Sequence, residues 1–363
     1  MLNQKLLSIL PWAGVLWIYA PLHAEEVPSV SVYNESALYA CENSWDIKFT
    51  ADYLYWNWQQ ALFQVGTVIT PQASGAQAFF ASQEDVIFQT PGYTSGFQVG
   101  LGCNFHGMDH WNLMVEYTWY QNNHSQRILT DSSQYFAVSP TLIKQVQGVN
   151  PGFLLSSDFS TSVALHFEGL DALLQRSAYL SSQIISTFGM GLKALWIHET
   201  ASAFGTGLSY IQENAATPVS VAGTMQSSLD QRSWGLGPTF GFNAEWLLGM
   251  GIKIIGGAAF SVLYTSYTTL STTVTGQISN RDSADLSFAQ SSPYNTLNPV
   301  LESGIGLGWG SYFCHNNLFL NLALSYDWNV YWSYALLDVL FPAKGSPGSM
   351  TLRGVNARIG IDF

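Results

Sequence analysis

The chain has 363 residues, of which 10% are charged and 14% aromatic, and its formal net charge is −12. Soluble globular chains run at about 25% charged residues, so much of the surface must be covered without charges, while a mean hydropathy of only +0.12 excludes a bundle of membrane-spanning helices. The acidity argues against nucleic acid as a partner.

The first predicted element is an export signal. Lys5 precedes an apolar run over residues 6–20, and "PLHA" offers Ala24 as the last residue before cleavage. The run is shorter than the roughly 20 apolar residues a spanning helix needs. Residues 1–24 are therefore expected to be a signal peptide, 25–44 a periplasmic N-terminal segment, and 45–363 the folded domain.

From residue 45 onward the side chains alternate with period two. In "WDIKFTADYLYW" the apolar phase is Trp45, Ile47, Phe49, Ala51 and Tyr53, against Asp46, Lys48, Thr50 and Asp52. "SGFQVGLGCNF" sets Phe97, Val99, Leu101, Cys103 and Phe105 against Gln98, Gly100, Gly102 and Asn104, and "WNLMVEYTW" continues with Trp111 to Trp119. "FSTSVALHFEG" sets Phe159, Val163, Leu165 and Phe167 against Ser160, Ser162, His166 and Glu168, which reads as His166 and Glu168 turned inward. The same alternation recurs at 187–198, 234–246, 252–264, 299–309 and 318–332, and in the terminal stretch "GVNARIGIDF".

Alternation means strands with one apolar and one polar face, which a soluble secreted sandwich would also show. Three features favour a membrane barrel. The runs exceed the usual strand length of about 5–6 residues. Aromatic residues sit near strand ends, as in the pairs Trp45/Trp56, Trp111/Trp119, Trp234/Trp246 and Trp328/Trp332, which suits the two interfaces of a bilayer. The polar phase is rich in Gly and charge, which suits a lumen.

Short gaps near 106–109, 180–182, 247–251 and 314–317 alternate with long ones near 59–93, 122–157, 201–230, 268–295 and 333–347. The expected fold is all-β, a closed antiparallel transmembrane β-barrel with short periplasmic turns and long extracellular loops. The hairpin count is about ten, and 12–16 if long loops such as "VGTVIT…EDVIFQT" or "TTLSTTVTGQIS" hide further hairpins. One register follows from the turn "LLGMG": centred on Gly249, it sets Glu245 directly opposite Lys253, both inward, and Gly241 opposite Gly257.

Several stretches, in order, resemble a known family. "WDIKFTADYLYW", "GFQVGLGCNF" with "WNLMVEYTWY", "WGLGPTFGFNAEW" with "LLGMGIKIIGGAAFSVLY", "LESGIGLGW" and "MTLRGVNARIGIDF" are similar to strands of the major-outer-membrane-protein-like, pore-forming proteins of the Legionella and chlamydial type. The resemblance implies a pore-forming β-barrel of the cell outer membrane.

Charge on a lipid-facing strand costs about 2–4 kcal/mol at the midplane. The candidate pore-lining residues are therefore the charges on the polar phase: Lys48, Asp52, Glu116, Lys193, Glu245, Lys253, Glu302, Asp327 and Arg358. Their mixed signs suit a weakly selective lumen for passive diffusion of small solutes, or a salt-bridge network filling a narrow barrel. The alternative function is a structural or adhesin-type barrel with a closed lumen whose loops bind a partner.

No nucleophile motif or phosphate loop is present, so no enzyme activity, cofactor or metal is expected. His106, Asp109, His110 and His315 read as polar turn residues. The three cysteines, Cys41, Cys103 and Cys314, leave at least one thiol free or available for an intermolecular disulfide. Expected partners are outer-membrane lipid and lipopolysaccharide, the outer-membrane assembly machinery and small solutes, with a homo-oligomer also open. The terminal aromatic, Phe363, resembles the signal that the assembly machinery reads. The last strand is expected to pair with the first, leaving no edge.

Overall fold

The computed structural model describes residues 37, 46–60, 64–72, 80–88, 90–105, 111–129, 135–138, 154–206, 209–210, 219–220, 222–279, 284–291, 294–315, 317–335 and 348–363. The expected signal peptide, Trp45, Cys41 and the turn carrying His106, Asp109 and His110 lie outside the described residues.

Ten strands form the wall: β1 (Ile47–Gln60), β2 (Tyr93–Phe105), β3 (Trp111–Leu129), β4 (Asp158–Ser181), β5 (Ile184–Thr206), β6 (Ala222–Gly249), β7 (Ile252–Ser279), β8 (Tyr294–Phe313), β9 (Leu318–Ala335) and β10 (Gly348–Asp362). Each pairs antiparallel with its sequence neighbours, and β10 pairs with β1 to close the ring. In hydrocarbon every backbone N–H and C=O must be paired within the protein, and a closed meander achieves this without an edge. At the seam Lys48 lies opposite Asp362 and Gln60 opposite Met350, and the Phe363 N–H donates to the Ile47 carbonyl (3.0 Å).

The count stays at ten. The suspected extra hairpin exists, Gln64–Gln72 paired with Phe80–Phe88, but it belongs to a separate six-stranded sheet built from loop-side segments. "TTLSTTVTGQIS" is the far end of β7, which Ala284–Ser291 flanks on one side and β6 on the other. β6 and β7 are 28 residues each, about 90 Å along the strand at ~3.3 Å per residue. The apolar band of such barrels is about 25 Å tall, so the wall rises far beyond it on the loop side.

The outer face is apolar. Phe240, Phe242, Ile305, Leu307 and Ile359 all stand exposed, as lipid-facing side chains must. The outward aromatics include Trp196 and Trp234, cross-strand partners on β5 and β6, with Trp119 on β3 reached across Glu168 of β4.

Three expectations are corrected. The β6–β7 turn is not centred on Gly249. Met250 and Gly251 form a two-residue turn with φ of 52° and 79°, the doubly positive geometry of a type I′ hairpin, and the register slips between Leu247 and Gly249. Lys253 therefore lies opposite Leu247, Glu245 opposite Ile255, and Gly241 opposite Ala259.

Second, β4 is turned over relative to the expected phase. Phe159, Val163, Leu165 and Phe167 are buried inside the barrel, while His166 and Glu168 sit on the outer wall in contact with each other (3.1 Å). Third, Trp56 is no girdle residue but points inward at 5% exposure.

Candidate functional site in the barrel interior

The interior is built in layers, each supplied by side chains of one phase. Nearest the short turns is a charged layer around a cavity of about 400 Å³. Lys48, Glu116, Lys193, Glu245, Lys253, Glu302, Asp327 and Arg358 line it, and Asp52 joins it through Arg358. All nine charges expected on the inner phase thus stand on the inner wall. Ala37 also lines this cavity, its N–H donating to the Ser177 carbonyl (3.1 Å).

These charges are brought into contact rather than held apart as rings. Arg358 donates through Nη2 to Asp52 (2.7 Å) and to Glu116 (3.3 Å), spanning β10 to β3. Lys193 reaches Asp171 on the next strand (2.7 Å) and Glu302 on β8 (3.0 Å). Lys253 donates to Glu245 (2.8 Å). The two share the inner face, so their contact survives the register shift as a diagonal one. Lys48 faces Asp362 at 3.8 Å, and Ser325 donates to Asp327 (2.9 Å).

Asp171 and Asp362 were absent from the expected set. Asp171 shares the phase of Phe167 and Glu168 the opposite phase with His166, so β4 carries a carboxylate on each phase and charge alone does not assign its faces. The inner layer holds four basic against seven acidic side chains, a formal excess of three negative charges.

Above it lies an apolar plug. Leu54, Trp56, Trp58, Tyr120, Leu165, Phe167, Leu195, Leu263, Tyr331, Tyr334 and Leu352 belong to one buried cluster. Phe167 on β4 and Tyr331 on β9 come from opposite sides of the ten-strand ring, yet their ring centroids are 5.5 Å apart in an edge contact. Side chains therefore meet across the full width of the lumen. Trp56 packs on Tyr120 (5.9 Å), whose hydroxyl donates to the Trp56 carbonyl (2.8 Å).

The strands that contribute least bulk make room for the rest. A Cβ at Gly235 would lie 3.0 Å from the Tyr334 hydroxyl, and one at Gly96 would lie 3.1 Å from the Tyr120 ring. Tyr331 ties the two layers together by donating to Glu302 (3.2 Å).

The outer wall carries its own polar contacts on the loop side. His198 and Arg232 both bond Asp230 (3.0 and 3.4 Å), and Arg127 pairs with Asp158 (2.6 Å). Cys103 and Cys314 are free and exposed, and His315 lies on the turn after β8. Among the described residues no group of three or more His, Cys, Asp or Glu side chains could hold a metal ion.

The profile of the family described as Legionella pneumophila major outer membrane protein precursor matches residues 39–344. No curated protein matches the chain. Among solved structures, the outer-membrane protease OmpT of Escherichia coli is 8% identical, with 88% of this chain and 97% of that chain covered and a TM-score of 0.31. The toluene transporter TodX of Pseudomonas putida is 8% identical, with 90% and 91% covered and a TM-score of 0.28. A FadL homologue of Pseudomonas aeruginosa is 7% identical, with 87% and 89% covered and a TM-score of 0.22.

Proposed function

The chain belongs to the Legionella major outer membrane protein family, and from that premise we propose that it is an outer-membrane barrel with a closed lumen that acts through its loop-side surface. One observation carries the reading: Phe167 and Tyr331 meet at 5.5 Å from opposite walls. They do so within a cluster whose members are 0–5% exposed. Pairing of the inner charges supports it further, because each cation of the inner layer is held by one or more carboxylates. The long β6–β7 wall and the separate loop-side sheet give such a protein a large surface outside the bilayer. On this reading the chain is not an enzyme, and its loops bind a partner.

The test is conductance of the folded protein in a planar bilayer. The expected result is a silent membrane at moderate voltage. Sustained porin-sized steps would overturn the closed-lumen reading. They would favour instead an aqueous pore for passive diffusion, the reading that the cavity of about 400 Å³ and its charged lining support. In that case the excess of acidic side chains predicts a preference for cations over anions.

A further inference from the structure

On the loop side, the outer wall carries a hollow of about 380 Å³ across β3 to β6. Two successive rungs of the sheet build it. In the first, Ser125 lies opposite Ser162 and Ser162 opposite Ser202. In the second, Arg127 lies opposite Ser160, Ser160 opposite Phe204, and Phe204 opposite Gln226. The short serines leave a floor, and the longer side chains of Arg127, Phe204 and Gln226, all exposed, edge it.

The lining joins one apolar face to many hydrogen-bonding groups. Phe204 is 43% exposed, although every outward position on these strands between it and the Trp119–Trp196–Trp234 row carries Gln, Asn, His, Arg, Asp, Thr, Ser or Ala. A lone ring therefore stands among polar side chains. Arg127 holds Asp158 through two bonds, Nε to Oδ1 (2.9 Å) and Nη2 to Oδ2 (2.6 Å). The pair balances its own charge and fixes both groups in place. Serine hydroxyls and the Gln226 amide each donate and accept. An anion would find the cation of this hollow already taken. A sugar ring, with its C–H faces and its rim of hydroxyls, finds a partner for each of its parts, in a hollow of the size that small ligands occupy.

Height above the membrane selects the source of that sugar. Arg127, Phe204 and Gln226 each stand eight residues from the tryptophan of their own strand, Trp119, Trp196 and Trp234. That is about 26 Å along the strands, or about 20 Å in height at a tilt of ~40°. Phospholipid headgroups reach only about 5–8 Å above the hydrocarbon. The sugar chain of a glycolipid standing in the same leaflet reaches the hollow.

We propose that this hollow binds the oligosaccharide of lipopolysaccharide in the surrounding outer leaflet. The inference rests on outer-membrane placement and not on the closed lumen, so either conductance result leaves it standing.

The test uses the full chain folded in detergent. It is titrated with lipopolysaccharide carrying its core sugars and, separately, with lipid A, which lacks them, and bound glycolipid is counted by native mass spectrometry. The expected result is several-fold tighter binding of the sugar-bearing form, with the preference lost in Ser202→Trp, which fills the hollow from an exposed position, and in Phe204→Ala. Equal binding of the two glycolipids by the unaltered chain, or an undiminished preference in the variants, would overturn the proposal. Should Ser202→Trp fail to fold, Phe204→Ala decides alone, since it only removes an exposed ring. Sedimentation in the same detergent tests the rival occupant. A dimer that either variant splits would assign the hollow to a second copy of the chain and overturn the proposal.

Discussion

Arg358 on the last barrel strand lies directly opposite Asp52 on the first, and its Nε and Nη2 donate to that carboxylate at 2.9 and 2.7 Å. Asp52 is almost fully buried, its side chain 1% exposed. The ion pair therefore fastens the seam at which the barrel closes. Replacing Asp52 by Asn removes the charge that compensates Arg358 and leaves Glu116 as its remaining acidic contact. The expected cost is about 3 kcal/mol, the low end for breaking a buried pair. It is read as a shift in the urea midpoint of the folded gel band, and an unchanged midpoint would show that the seam does not depend on the pair.

Neighbouring residues on β4 should respond oppositely to truncation. Phe167→Ala opens a cavity in the plug and is expected to cost about 3–5 kcal/mol. His166→Ala, on the outer wall, is expected to stay within about 0.5 kcal/mol. Equilibrium unfolding of both variants in the same detergent decides the matter. A larger loss at His166 would mean that β4 faces the other way.

Cys103 and Cys314 should differ in reagent access. Cys103 lies on the outer, apolar phase of β2 and Cys314 on the short turn after β8, at a φ of 54°. In single-cysteine variants embedded in a bilayer, a charged maleimide should label Cys314 and spare Cys103. Rapid labelling of Cys103 by the charged reagent would place that strand face in water.

Deleting Phe363 removes the backbone N–H that bonds the Ile47 carbonyl at the turn-side end of the seam, together with an exposed terminal ring. A several-fold drop in heat-modifiable barrel recovered from the outer membrane is expected. Wild-type recovery would show that this residue is dispensable for assembly.

The turn-side half of the molecule was legible because two rules acted together there. Hydrocarbon rejects charge, so Lys193, Glu302 and Arg358 could face only inward, and period two then assigned every neighbour. The loop-side half was not legible by the same rule. An apolar side chain satisfies lipid and a packed interior equally well, so Phe167 and Trp56 were assigned outward although they fill the plug. Glu199, buried at 1% exposure on β5, was passed over because it lies one residue past the stretch in which alternation was read, just before the long gap near 201–230. The β6–β7 register failed by two residues because a type I′ turn and a one-residue slip at Leu248 are local backbone choices that alternation does not encode.

Alternation, low charge and the spacing of short and long gaps were enough, from the amino acids alone, to determine an all-β chain closed into a ring; they left the count between about ten and 12–16, and the structure has ten. The cause is a solvent constraint acting on each residue separately: paired backbone and uncharged outward side chains. How the ring is packed inside was decided only in three dimensions. Phe167 and Tyr331 are 164 positions apart in sequence by their numbering, and they meet because the ring places β4 and β9 face to face across a diameter that two aromatic side chains can bridge.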